Sequence, residues 1–402
     1  MASQQFRLAI AALVLAASSC LQAAAQTTYT YKILHSFSGG ADGESPQGPL
    51  WRDASGNLYG MTYNGGGSSV CSAGCGTVYE LSPQPGGSWT EKVLYAFQGT
   101  TDGSHPQLNG VVMDKAGNLY GGAEATNMVA GTIFKLSPSS SSSDWNFDAL
   151  FTFDWSDGAL AAVSGFDPDG NLWGNAEILW ELSPNSEGWA YREIGLGFEG
   201  PIFVSATRAY GAHGSGGLTT ADCPSGCGRV AELYRDSAGV WKEMVLYDFR
   251  GGNDGIQPLG GVTVGKSGHL YGTTMAGGGA PYGGDGTVFE LVRGSDGKWT
   301  EQILVAFNGT NGSSPWAAPI VDESGNLYVT TAAGGDCGYG TVFKLSYASG
   351  SWTETTLRSF CVPDGITPTG SLTRDSAGNL YGTLLGGGAG NDGAVFELSP
   401  VK

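Results

Sequence analysis

The sequence predicts an all-β fold: a seven-bladed β-propeller of four-stranded blades, closed into a ring by its own N-terminal strand. Three observations predict it. Three short signatures recur in a fixed order along the chain. Their period suits one small antiparallel sheet per repeat. The piece missing from the last repeat stands alone at the N-terminus.

The first signature, G-N-L-Y-G, appears at Asn57–Gly60, Asn118–Gly121, Asn326–Tyr328 and Asn379–Gly382, with variants beginning at Asn171, Arg208 and His269. The second, G-T-V-F-E-L, ends at Leu81, Leu136, Leu182, Leu233, Leu291, Leu345 and Leu398, so successive copies lie 46 to 58 residues apart. The third, W-T-E-x-x-L-x-x-F, ends at Phe97, Phe153, Phe198, Phe249, Phe307 and Phe360. Its seventh copy is Tyr29–Phe37, at the opposite end of the chain from the repeat that lacks it. An open solenoid would need capping repeats and no such complementation, whereas a ring needs its ends joined.

Each repeat parses into four strands. In the first these are Gly48–Arg52, Asn57–Tyr63, Gly76–Ser82 and Trp89–Phe97. D-x-x-G-N and P-x-x-G-G supply the hairpin turns, with glycine where the backbone must turn left-handed. Blades pack face to face, so middle strands bury both faces, and Val78-Tyr79 and Val288-Phe289 need not alternate with polar residues. The abundance of glycine (68) and of aromatics (16 Phe, 17 Tyr, 11 Trp) fits turns and sheet faces.

Before the repeats, Arg7, an apolar run from Leu8 to Leu21 and Ala23-Ala24-Ala25 read as a signal peptide over 1–25. A lipoprotein using Cys20 is the lesser alternative, because Ala17 stands where leucine is preferred. Residues 26–402 then form a single propeller domain in the secreted or envelope compartment. Nothing else in the chain approaches the roughly 18 apolar residues of a membrane span. The net charge of -18 excludes nucleic acid and anionic membranes as partners, and a monomer is expected.

These signatures resemble the GloVer tandem repeats of exported bacterial proteins with variable anchors, over residues 29–398. The resemblance implies a propeller and export; the family is defined by its repeat, so it carries over no activity and no catalytic residue. The third and fourth repeats depart from the pattern, and no anchor is expected after Pro400.

Strand order puts the glycine-rich loops after N-L-Y-G on the same face as the D-G-x-x-P connections between blades, and a site is expected on that loop face. Aspartates recur there: Asp42, Asp102, Asp157, Asp254 and Asp364, with Asn311 in the sixth place. They read as caps of their own turns, with an acidic ring for Ca²⁺ as the alternative and no other cofactor expected. Six cysteines remain after cleavage, and their spacing reads as disulfides Cys71–Cys75, Cys223–Cys227 and Cys337–Cys361; a four-thiolate zinc site from the two C-x₃-C loops is the rival. The aromatics that break the repeat, Tyr63, Trp155, Tyr282, Trp316 and Tyr339, are the candidate ligand-binding residues, since rings stack on sugars. No catalytic constellation emerges. His35, His105, His213 and His269 occupy unlike places and read as solvated surface residues. The leading expectation is a non-catalytic propeller that binds a glycan or a surface protein through the loop face. The alternatives are a hydrolase or lyase acting on a polysaccharide or lactone through Glu124, Asp285 or Asp336, and a structural envelope protein.

Overall fold

The computed structural model describes residues 28–106, 109–126, 128–141, 144–154, 161–176, 178–196, 199–205, 207–279 and 284–401. Residues 1–25, which the sequence reads as a signal peptide, lie outside them. Seven antiparallel sheets follow one another around a ring. Blade 1 comprises Glu44–Arg52, Leu58–Asn64, Thr77–Pro83 and Trp89–Ala96, from the axis outward. Its inner strand begins four residues earlier than the sequence suggests. In blade 2 the inner strand is split into Ser104–Pro106 and Val112–Met113. In blade 3 the second and third strands, Leu172–Ala176 and Ile178–Asn185, are almost continuous, so the loop between them has all but gone. That loss accounts for the shortest repeat spacing.

The ring closes as expected. Tyr29–Ser36 pairs with Ala394–Pro400 as the outer strand of blade 7, from Tyr29 opposite Pro400 to Ser36 opposite Ala394. The closing strand carries a bulge between Ile33 and His35, matching the bulges in the outer-strand pairings of blades 1, 5 and 6. It is thus the same element, supplied from the other end of the chain.

The signatures are halves of contacts between neighbouring blades. The last ring of the third signature meets the aromatic of the second signature in the next blade, edge to face. Phe97 meets Phe134 at 5.3 Å, Phe249 meets Phe289 at 5.1 Å, Phe307 meets Phe343 at 5.2 Å and Phe360 meets Phe396 at 5.3 Å. Phe37, from the N-terminal strand, meets Tyr79 of blade 1 at 5.0 Å in the same way. Each such pair contributes about 0.5–1.5 kcal/mol beyond the area it buries. The tyrosine of the first signature packs on the tryptophan that opens the third signature one blade on, as Tyr120 does on Trp189 and Tyr271 on Trp352.

A second link lies nearer the loop face. The glycine that opens the second signature lets the proline of the following connection come close. A Cβ on Gly76 would lie 2.5 Å from Pro106 Cδ, and one on Gly286 would lie 2.7 Å from Pro315 Cδ. The residue before each proline adopts positive φ and donates its N–H back to the preceding blade's loop: Ser45 to Asp392 O, His105 to Cys75 O, Gln257 to Cys227 O, Ser314 to Asp285 O and Thr367 to Tyr339 O, all at 2.8–3.0 Å. The glycine-rich loops therefore also hold the next blade in place.

Two substitutions test these links by denaturant unfolding. Phe360→Ala is expected to cost about 3–5 kcal/mol through its cavity. Gly286→Ala is expected to cost about 1–3 kcal/mol, because its methyl collides with Pro315 and its φ is +95°. Unfolding midpoints unchanged from the parent chain would contradict the contact scheme.

Candidate functional site

The loop face is built from the connections between blades and from the loops between second and third strands. Its recurrent aspartates serve their own turns. Asp42 accepts the Ser38 N–H at 3.0 Å and the Ser38 hydroxyl at 2.6 Å. Buried Asp102 accepts the Gln98 and Thr100 N–H groups and the Tyr95 hydroxyl. Asp254 accepts from the Arg250 N–H and from the Tyr247 hydroxyl at 2.6 Å, and Asn311 Oδ1 caps the Asn308 N–H at 3.0 Å. Asp364 pairs with Arg358. Asp157 lies outside the described residues. Among those described, no three His, Cys, Asp or Glu side chains are grouped to hold a metal ion.

The cysteines are joined as Cys71–Cys75, Cys223–Cys227 and Cys337–Cys361, with Cα separations of 5.2, 5.1 and 5.3 Å. The first two staple the loops of blades 1 and 4. Each packs on a glycine of its own blade's outgoing connection, Gly99 and Gly251. The third ties blade 6's loop to the start of the connection into blade 7.

At the junction of blades 1 and 2 the loop face carries a notch. Tyr63, at the end of a second strand, lies against the His105 ring at 4.6 Å and 34°, and its hydroxyl donates to Glu124 Oε2 at 3.2 Å. Burial, and then the Glu124 carboxylate, hold the Tyr63 hydroxyl above its ordinary pKa. His105 Nδ1 is 3.0 Å from the Ser104 hydroxyl. Beside them opens a cavity of about 370 Å³ lined by Cys71, Ser72, Ser104, His105 and Thr126, with exposed Val70 at its rim. The grouping belongs to this junction: Met275, Ala332 and Leu385 stand at the position of Tyr63 in blades 5, 6 and 7.

The remaining candidates are dispersed. Trp316, in the connection into blade 6, and Tyr339, in that blade's loop, are each 40% exposed. Trp155 and Tyr282 lie outside the described residues. Asp285 and Asp336 belong to blades 5 and 6, so neither approaches Glu124. The histidines depart from expectation. Three of them face carboxylates: His35 is 3.7 Å from Asp42, His213 is 3.4 Å from Glu243 and His269 is 2.6 Å from Glu290. The carboxylates come from adjacent strands or connections, a pairing that linear spacing does not reveal. His269 is on the opposite face.

Burial also acts on the outer-strand glutamates that point back toward the preceding connection. Desolvation, and then the neighbouring Asp42, push Glu91 up to about 7. Glu301 is likewise raised to about 7 by desolvation and Asp254, against Arg250. Desolvation lowers His35, with Asp42 opposing.

A family model described as the Gloeobacter/Verrucomicrobia repeat matches residues 21–187 and 206–402. No curated protein matches the chain. Among solved structures, the WD40 repeats of RRP9 are 12% identical over 94% of this chain and 99% of theirs, with a TM-score of 0.54. A fungal alcohol oxidase of the AA5 family in complex with copper is 12% identical over 93% of this chain and 76% of its own, also at 0.54. A Bacteroides uniformis chain named as a 6-phosphogluconolactonase is 12% identical over 77% and 84%, at 0.48. At such identities the likeness to the first two shows the propeller fold alone. No helix among the described residues is long and apolar enough to cross a membrane.

The raised glutamates make a pH prediction. An acid whose folded pKa lies above its ordinary 4.5 holds its proton more tightly when folded. Its contribution to stability is complete below pH 4.5 and is lost as pH rises through about 7. Glu91→Gln and Glu301→Gln should therefore flatten the decline in thermal midpoint across that interval. A decline as steep as in the parent chain would remove these groups from the account.

Proposed function

Because the chain belongs to the Gloeobacter/Verrucomicrobia repeat family, which is recognised by its repeat, we propose its function from its own loop face: an exported, non-catalytic propeller that binds a saccharide in the notch between blades 1 and 2. The observation that carries this reading is the meeting of Tyr63, His105 and Glu124 at one junction of an otherwise repeating scaffold. An aromatic face takes the apolar face of a sugar ring, while imidazole and carboxylate exchange hydrogen bonds with its hydroxyls. The adjoining cavity of about 370 Å³, which His105 lines together with Ser104 and Thr126, is at the small end of ligand sites, which run to about 300–1,000 Å³, and suits one sugar unit placed beside the Tyr63–Glu124 pair. The Cys71–Cys75 staple and the His105 N–H bond to Cys75 O hold the wall rigid, which lowers the ordering cost of binding. Export is supported by the signal-peptide pattern read over 1–25 and by three disulfides, which persist in oxidising compartments.

The test is retention on immobilised bacterial and plant polysaccharides. The parent chain should be retained selectively without degrading the polymer. Tyr63→Ala or Glu124→Gln should weaken retention about tenfold or more, as expected for a central contact, while unfolding stays cooperative. Retention by neither parent nor variants, or equal retention by all three, would overturn the assignment.

A further inference from the structure

The opposite face is made of tight turns, and blade 5 breaks their pattern. In five blades an aspartate closes the turn between inner and second strands. Asp53, Asp114, Asp167, Asp322 and Asp375 each accept the backbone and side-chain N–H groups of the asparagine four residues on, together with the ring donor of the aromatic six residues on. Blade 5 has Gly265 in place of the aspartate and His269 in place of the asparagine. Its tyrosine, Tyr271, instead donates to Glu290 Oε1 on the third strand at 2.8 Å, and His269 Nδ1 lies 2.6 Å from the same oxygen. A Cβ at residue 265 would meet Tyr271 Cε2 at 2.7 Å, so glycine makes room for the ring.

Between this turn and blade 6 opens a cleft of about 830 Å³. Its walls include His269, Gln302, Ser324, Ser351, Tyr347 and Trp352. Tyr347 is 60% exposed yet braced by Trp352, with ring centroids 5.2 Å apart. We infer that this cleft is a second ligand site, on the face opposite the notch, and that it takes a neutral saccharide unit.

The geometry supports that chemistry step by step. Glu290 is nearly buried and fixes the imidazole through Nδ1, which leaves Nε2 for a hydrogen bond with a ligand hydroxyl. Gln302 and the serines supply both donors and acceptors, the mixture a sugar edge requires. Tyr347 offers a half-rigid aromatic face at modest entropic cost. Anionic ligands are disfavoured, because the ionisable lining is one carboxylate and one imidazole and the chain carries -18. Blade 5 also repairs the turn's lost aspartate with Glu290, but repair alone requires neither an imidazole nor an exposed tyrosine beside it.

The whole chain is titrated with methyl glycosides of glucose, galactose and mannose, following the His269 Hε1 proton resonance, assigned by its loss in His269→Asn. At least one glycoside should shift that resonance saturably. His269→Asn restores the residue that five other blades carry at this position, so it should fold, and it keeps a donor for Glu290. Measured by isothermal titration calorimetry, which needs no histidine signal, it and Tyr347→Ala should each weaken that glycoside's affinity about tenfold, or 1.4 kcal/mol, whereas Tyr63→Ala should leave it unchanged. No glycoside shifting the resonance, or parent affinity in His269→Asn, overturns the inference. Binding that is lost only in Tyr63→Ala also overturns it, while leaving the loop-face reading intact.

Discussion

The edge-to-face contact of one phenylalanine with an aromatic ring in the next blade is the constraint on which the rest of the ring depends. It sits at the end of an outer strand, so it fixes where each connection leaves the blade. The partner ring lies on a third strand, over a glycine of the second strand in blades 2, 5 and 7, as Phe134 does over Gly121 and Phe289 over Gly272, and opposite Val329 in blade 6. Strand pairing, glycine placement and blade spacing are thereby one requirement. Where the repeat decays, the contact decays with it: Phe153 reaches only 6.4 Å from Trp180, and blade 4 has Ala231 in the aromatic's place. Because Phe37 makes the contact to blade 1, the ring is completed by a residue encoded before any blade. Tyr31 adds to the closure through its hydroxyl to Asp364 O at 2.8 Å and its ring under Arg358 at 4.4 Å.

The architecture was legible because the contacts between blades are written in residue types that repeat. A phenylalanine every 50 or so residues signals a periodic environment even before its partner is known. Closure was legible from the offset of the signatures. The roles of individual signature residues were not. D-x-x-G-N reads from sequence as a hairpin turn, yet its aspartate also receives the ring donor from the second strand, which only the folded hairpin brings within 2.9–3.3 Å. Likewise the glycine of G-T-V-F-E-L is set by the next blade's proline, a neighbour about 30 residues away.

The functional surface was less legible for the same reason. Tyr63, His105 and Glu124 were each visible as irregular residues, but their meeting depends on two blades facing each other. The loop-face aspartates read as turn caps from sequence, and among the described residues Asp42, Asp102 and Asp254 accept N–H and O–H groups of their own turns. The expectation of a site on the loop face came from loop length, and length does not register a change of side chain within a turn on the other face. The usable signal was the pair of departures at Gly265 and His269 in one otherwise regular repeat. A substitution that breaks a repeat while leaving its length intact marks a place where something other than the ring is being served.

The N-terminal segment is a full structural member of the last blade. Hydrogen–deuterium exchange of the peptide spanning Tyr29–Ser36, compared with that of Ser351–Ser359 in blade 6, tests it most directly. The account predicts that the two outer strands are protected to a similar degree and lose protection together with the global unfolding transition. Rapid exchange of Tyr29–Ser36 while the blade 6 strand stays protected would mean that the ring is open, and would contradict it.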